Sequence, residues 1–334
     1  MCGECGAGFE PATGGLADWI PLPTRPGLPR LLPLAQGMQP RACRLHVAAD
    51  TVVIMLQASA TAVPPIGSRQ HHVLWVGACE SADLELAQED IGRLVRVRVA
   101  ATPAEAIAES GRGILEHSPA VILLATPTPG RWTLADAVRL TTCWPLSPIV
   151  SVAGGIVDGR RRSGPHLPGV EDVPWHDLAG RLASWLADRD AGRPGSLGAP
   201  ATARREERIL EAVRPRGSAV QVTVAASRLV DLDGLADLVA AAGGLVGRRG
   251  RGRPPLDDPA DVLAWDVGLV DGPMLAWLRL LVANRPTRRV MLFESFPRAD
   301  STRLALRAGA AAVLGRPGSV EAVAGTLSRL ARHR

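Results

Sequence analysis

The sequence predicts an α/β protein of two domains, each a parallel sheet with helices on both faces. Three observations predict it. The chain of 334 residues is long enough for about two domains. From His71 onward, short apolar runs alternate with segments of helical spacing, joined by brief links. That order then runs through a second time, after a Gly/Pro-rich stretch.

The elements of the first unit are read in order. HVLWVGA (72–78) is a short apolar run ending in small residues, as a buried parallel strand does. SADLELAQEDIGRL (81–94) is helical, and VRVRVA (95–100) alternates as a strand. TPAEAIAESGRGILEH (102–117) opens with Thr-Pro, a helix start, and carries Glu105 in its first turn. AVILLAT (120–126) is a second buried strand, TLADAVRLTTCW (133–144) a helix and SPIVSVAGG (147–155) a strand. WHDLAGRLASWLADR (175–189) closes the unit, with Leu178, Leu182, Trp185 and Leu186 on one helical face.

Residues 191–216 are read as a linker, with a short charged helix over 203–214. The second unit reads strand 219–227, helix 231–244, a segment 245–259 that holds a strand and whose Gly, Arg and Pro content makes a normal helix after it unlikely, strand 261–267, helix 272–286, strand 288–295, helix 299–309, strand 311–315 and helix 319–332. The domains are therefore 71–190 and 217–334. Residues 1–70 are rich in Gly, Pro and Ala without a period, and are expected to be disordered, a loop-rich cap, or an over-extended reading frame.

Composition narrows the function. An apolar fraction of 46% and a charged fraction of 21% are those of a soluble globular protein. No apolar run reaches the roughly 20 residues of a membrane helix, so a cytoplasmic location is expected. The net charge is +5 and every basic residue is arginine. Without lysine there is neither a Walker-type phosphate lysine nor a Schiff-base lysine. Cys2 and Cys5 form one CxxC, whose nearest further ligands are Cys43 and His46; an unpaired motif is the simpler reading. No GxGxxG follows the first strand of either unit. Cys79 follows a strand and is a possible nucleophile with His176, or simply a buried small residue. RRGRGR (248–253) is read as a solvated loop in preference to a nucleic-acid contact, since no aromatic residue is interleaved for stacking.

Three stretches of the second unit, VAASRLVDLDGLADLVAAAG, ADVLAWDVGLVDG and LALRAGAAAVLGRPGSVEAVAGTLSRL, make residues 217–332 resemble the receiver (CheY-like) domain of bacterial two-component response regulators. Residues 71–190 resemble a more diverged copy. The resemblance implies two flavodoxin-like (βα)5 three-layer sandwiches. It also implies a chemistry in which an aspartate at the end of the third strand attacks a phosphoryl group. Two acids after the first strand then help hold Mg²⁺, and a hydroxyl and a lysine contact the phosphoryl group.

Only part of that set is present. Asp266 stands at the phosphoacceptor position. The metal-acid positions fall on Ala225 and Ala226, which offer no oxygen. Asp231 and Asp233 lie further along, too far to substitute directly. The hydroxyl position falls on Glu294, with Ser295 next, and the lysine position on Arg316, before Pro317. In the first unit, Gly77, Ala78, Ala125 and Thr126 stand where acids would. The expectation is a two-component-type signalling protein acting as a pseudo-receiver through protein contacts, without enzyme activity, cofactor or metal-dependent phosphorylation. Its partners would be a histidine kinase or an output protein, neither membrane nor nucleic acid. Self-association or intramolecular pairing through the helix 4–strand 5–helix 5 face is a further expectation. One alternative is a phosphorelay regulator phosphorylated on Asp266 with Mg²⁺. Another is an enzyme or anion-binding module using the insert 154–176, through Arg160, Arg161, Arg162 and His176; the same insert also reads as a long surface loop with Trp175 tucked into the core.

Overall fold

The computed structural model describes residues 19–21, 71–111, 118–157, 167–193, 195–198, 207 and 220–332. The N-terminal sheet contains β2 (His72–Val76), β3 (Arg96–Ala100), β4 (Ile122–Thr126), β5 (Ile149–Ala153) and β6 (Glu171–Pro174), in the order β3-β2-β4-β5-β6 and parallel throughout. Helices α1 (Ala82–Gly92) and α4 (Leu178–Asp190) cover one face through Leu84, Ile91, Leu182 and Leu186. Helices α2 (Pro103–Gly111) and α3 (Leu134–Cys143) cover the other, with Ala106 and Leu140 in its core.

The C-terminal sheet repeats the plan. It contains β7 (Gln221–Ala226), β8 (Leu245–Arg251), β9 (Val262–Gly268), β10 (Arg289–Ser295) and β11 (Ala310–Arg316), with the parallel order β8-β7-β9-β10-β11. Helices α5 (Leu229–Ala241) and α8 (Val320–Arg332) cover one face, and α6 (Gly272–Asn284) and α7 (Ala299–Arg307) the other. Fully buried strands explain the near-continuous apolar runs, because a parallel sheet covered on both faces has no polar side.

Three elements depart from the sequence reading. RRGRGR (248–253), read as a solvated loop, contributes Arg248 to Arg251 to the strand β8, where they pair with β7. β6 was hidden inside the insert 154–176: Glu-Asp-Val-Pro is short and half polar, and it pairs on one side only, where a proline is tolerated. Trp19–Pro21 forms a further strand, β1, antiparallel to β8 at Arg248–Gly250, so at least these three of the first 70 residues belong to the second sheet. The other residues before His71, the linker helix over 203–214 except Glu207, and the CxxC lie outside the described residues.

Where a second helix would follow β8, residues 252–260 run as a loop, as the Gly, Arg and Pro content predicts. Its carbonyls are satisfied from α6 and the turn after it. Trp277 donates to Pro254 O at 2.9 Å, Asn284 to Leu256 O at 2.6 Å, and Arg288 to Leu256 O and Asp258 O at 3.0 and 2.5 Å. Arg288 is thus fully buried by backbone oxygens that a helix would have satisfied internally. No helix among the described residues is long and apolar enough to cross a membrane.

Candidate functional site

In an open parallel sheet, chemistry sits beyond the carboxyl ends of the strands. Asp266 occupies the end of β9, in register with Ala226 on β7 and Phe293 on β10, and is 4% exposed. One carboxylate oxygen accepts from Gly268 N at 3.0 Å; the other accepts from Arg316 Nη1 at 2.5 Å. Gly268 has φ +68°, the left-handed turn that brings its amide back onto the carboxylate. Burial pushes the Asp266 carboxyl above its usual range, against the pull of Arg316 and the Gly268 amide.

Arg316 binds three partners at once. Besides Asp266, its Nη2 donates to Ser295 Oγ at 2.6 Å, and Nη1 lies 3.5 Å from Asp231 Oδ1. The planar fork makes this possible, since its donors point in fixed, separate directions. Asp231 therefore reaches the site, contrary to expectation. α5 begins at Leu229, so Asp231 is in the first turn, above the strand ends. Asp233 faces away and pairs with Arg249 at 3.1 Å. Ala225 and Ala226 are buried at the end of β7 and offer only methyl groups, as the sequence implies. Pro317 follows Arg316 through a cis peptide and is exposed.

Glu294 stands where receiver chemistry calls for a hydroxyl. In the fold its carboxylate is 3% exposed and occupied: Oε1 accepts from Val270 N at 3.3 Å, and Oε2 lies 3.1 Å from Ser301 Oγ. Burial raises its pKa, opposed by these two hydrogen bonds. Phe296, one residue past Ser295, holds φ +57° with its ring exposed.

The strand ends of the N-terminal sheet are closed. Trp132 Nε1 donates to Ala125 O at 2.7 Å, and its ring covers Gly77, where a Cβ would come within 2.8 Å of Trp132 Cζ2. Thr126 and Ser151 bond to each other at 3.0 Å. An indole thus fills the place of an acid site. The sequence reading missed it, although a lone tryptophan in the loop after the third strand of that unit was a usable signal. Cys79 donates to Leu84 O at 3.8 Å, and burial pushes its thiol up, away from the thiolate a nucleophile needs.

The two domains meet through α1 and α4 of the first and α7, β11 and α8 of the second. These last three are the helix 4–strand 5–helix 5 face of the second domain. α4 and α8 cross with their backbones in contact. A Cβ on Gly325 would overlap Gly180 O and lie 2.8 Å from Gly180 C; a Cβ on Gly180 would overlap Ala322 O. Beside the crossing, Arg181 donates to Glu321 Oε2 at 3.0 and 2.7 Å and also bonds Glu171. Ser196 bonds the other oxygen of Glu321. Burial lowers the Arg181 pKa, but the two carboxylates outweigh it and keep the guanidinium charged. Asp83 accepts from Ala299 N at 3.0 Å, capping α7 from across the interface, and Ala299 packs in the N-terminal core.

His176 belongs to this interface. Its ring bonds Asp177 at 3.2 Å, is nearly buried, and fills the space above Gly315, where a Cβ would sit 2.8 Å from His176 Nδ1. That placement removes His176 from an open anion site in the insert. Trp175 is buried against the N-terminal core, as one reading of the insert held. Arg160, Arg161 and Arg162 lie outside the described residues. Intramolecular pairing through the helix 4–strand 5–helix 5 face is the arrangement present. Self-association through that face would require the N-terminal domain to leave it.

Both sheets thus have the strand order 2-1-3-4-5 of the receiver fold, and the second carries an acid at the end of its third strand. The chain is a tandem of receiver-like, flavodoxin-like α/β domains. No protein-family model matches it, and no curated protein sequence does either. Among solved structures, a Burkholderia thailandensis protein assigned to pilus assembly is 30% identical over 34% of this chain and 98% of its own, with a TM-score of 0.32. A CheY-like protein of Pseudomonas aeruginosa is 24% identical over 33% of this chain and 98% of its own, at 0.29. An orphan response regulator of H. pylori is 16% identical over 36% of this chain and 100% of its own, at 0.27.

Proposed function

We propose that the protein is a signalling module of the two-component type that works as a pair of pseudo-receivers, by presenting a surface to a protein partner and not by metal-dependent phosphorylation. The carrying observation is the Arg316 guanidinium, which bridges Asp266, Asp231 and Ser295. In receiver chemistry a divalent cation neutralises the transferring oxygens beside the acceptor. Mg²⁺ takes octahedral oxygen ligands and retains several waters. The residues here do not fit that ion: two alanines replace the acids after the first strand, and the remaining pair of carboxylates is already joined by an arginine. A nucleophilic carboxylate also needs a free oxygen, and both oxygens of Asp266 are engaged.

The partner is a protein, such as a histidine kinase or an output protein. The N-terminal domain already covers the helix 4–strand 5–helix 5 face of the second, so the partner meets either the composite of both domains or a face freed by their separation. The test is a titration of ¹⁵N-labelled protein with Mg²⁺ and then beryllofluoride. Resonances of Asp266, Gly268 and Ser295 are expected to stay in place. Saturable shifts centred on Asp266, absent in Asp266→Ala, would establish the phosphoacceptor reading instead.

A further inference from the structure

Glu294 is an expensive residue at its position. A buried carboxylate without a cation beside it is costly, and the receiver pattern asks only for a serine or threonine at this strand end. What the carboxyl group has that a hydroxyl lacks is two oxygens pointing in different directions. One accepts from Val270, in the loop that leaves Asp266 through Gly268. The other meets Ser301, in the first turn of α7. The N-terminus of that same helix is capped by Asp83 of the other domain, whose second oxygen accepts from Gly155 at 3.0 Å.

Ser301 has one hydroxyl proton, and Glu294 Oε2 at 3.1 Å can take it, because Arg298 O already accepts from Thr302 N at 2.9 Å. Both oxygens of Glu294 are then engaged, one by Ser301 and one by Val270. Burial raises the Glu294 pKa and Asp300 on α7 adds to this, while the two hydrogen bonds and His176 from the N-terminal domain oppose it.

We infer that Glu294 is a positioning residue that latches the loop after Asp266 to α7, and through α7 to the docked N-terminal domain. The site and the interdomain contact then hold or loosen together. This goes beyond the proposed function and does not depend on whether Asp266 accepts a phosphoryl group. A latch of this kind requires an element that both ends bias, and α7 is that element.

The experiment is hydrogen exchange by mass spectrometry on the full chain. The segments read are 267–271 and 299–303, with 262–266 as the core control. In Asp83→Ala, which cuts the far end, exchange at 267–271 is expected to accelerate about five- to tenfold, the equivalent of one lost hydrogen bond. In Glu294→Ala both segments accelerate, and adding Asp83→Ala changes 267–271 no further. Glu294→Gln is the decisive variant, since its amide still reaches both partners, accepting from Val270 N and bonding Ser301 Oγ; both segments should keep native rates. Asp83→Ala leaving 267–271 unchanged would overturn the latch. So would Glu294→Gln behaving like the alanine variant, and this arm stands even if Glu294→Ala does not fold.

Discussion

Replacing Gly325 with alanine tests the helix crossing that holds the two domains together. In an ordinary helix this change stabilises, by about 0.5–1 kcal/mol, because alanine has less chain entropy to lose. Gly325 is not ordinary. Its new Cβ would overlap Gly180 O and lie 2.8 Å from Gly180 C and 3.0 Å from Ser184 N. Carbon contacts settle at about 3.5–4.0 Å, so α4 and α8 must part by roughly 1 Å. Overpacking of this kind costs about 1–3 kcal/mol. The same movement stretches the Arg181–Glu321 bonds, and a buried pair that opens loses more, up to about 3–5 kcal/mol. The overpacking term exceeds the propensity gain, and a net loss of about 0.5–2 kcal/mol is expected, more where the ion pair opens. Urea unfolding followed by tryptophan fluorescence measures it; Trp185, stacked 4.9 Å from the Arg181 guanidinium, reports on the crossing itself. Gly234→Ala in α5 is the control, because a Cβ there meets nothing within 4 Å. It should stabilise. If Gly325→Ala stabilises to the same degree, the two backbones are not in contact and the docking described above is wrong.

Further predictions follow the same logic. Gly315→Ala should expel the His176 ring and weaken docking, and His176→Ala should restore much of the loss; a double-mutant cycle in urea reads the coupling, and additive effects would separate the two residues. Arg316→Ala removes the cation from Asp266, so the carboxyl pKa, already raised by burial, should rise further in a ¹³C NMR titration. The sign for stability follows. A carboxyl whose folded pKa lies above its unfolded value binds more protons when folded, so stability falls as pH rises through that interval, and the cost is fully present above it. Arg316→Ala should therefore lose stability near neutral pH and recover it on acidification; a deficit independent of pH would contradict the ion pair. Arg288→Ala removes the short donor to Asp258 O and leaves Leu256 O with Asn284 alone. It should cost about 2–4 kcal/mol and open residues 252–260 to proteolysis, while an unchanged cleavage pattern would show that Arg288 does not hold that loop.

The central strands of both sheets were legible because each is buried on both faces and so writes an uninterrupted apolar run. β6 wrote none: half its residues are polar, and only Val173 and Pro174 are fully covered. The loss of a second helix after β8 was readable from glycine, arginine and proline, but its replacement by donors from α6 was not, since Arg288 lies 32 residues from Leu256. At the site, Asp266 and Arg316 were found because each stands at a strand end. The guanidinium's grip on Asp231 was not foreseen, because it depends on where α5 starts to within one turn. The interface was least legible of all. Arg181 and Glu321 are 140 residues apart, and no local pattern links them. Gly180 and Gly325 did leave a trace, as glycines inside helical periods ask for a packing reason.

The central claim is that Arg316 stands where receiver chemistry would place its cation, leaving Asp266 unable to take a phosphoryl group. Intact-mass spectrometry after incubation with acetyl phosphate and Mg²⁺ tests it most directly. The account predicts an unchanged mass. A phosphoryl adduct that disappears in Asp266→Ala would contradict it.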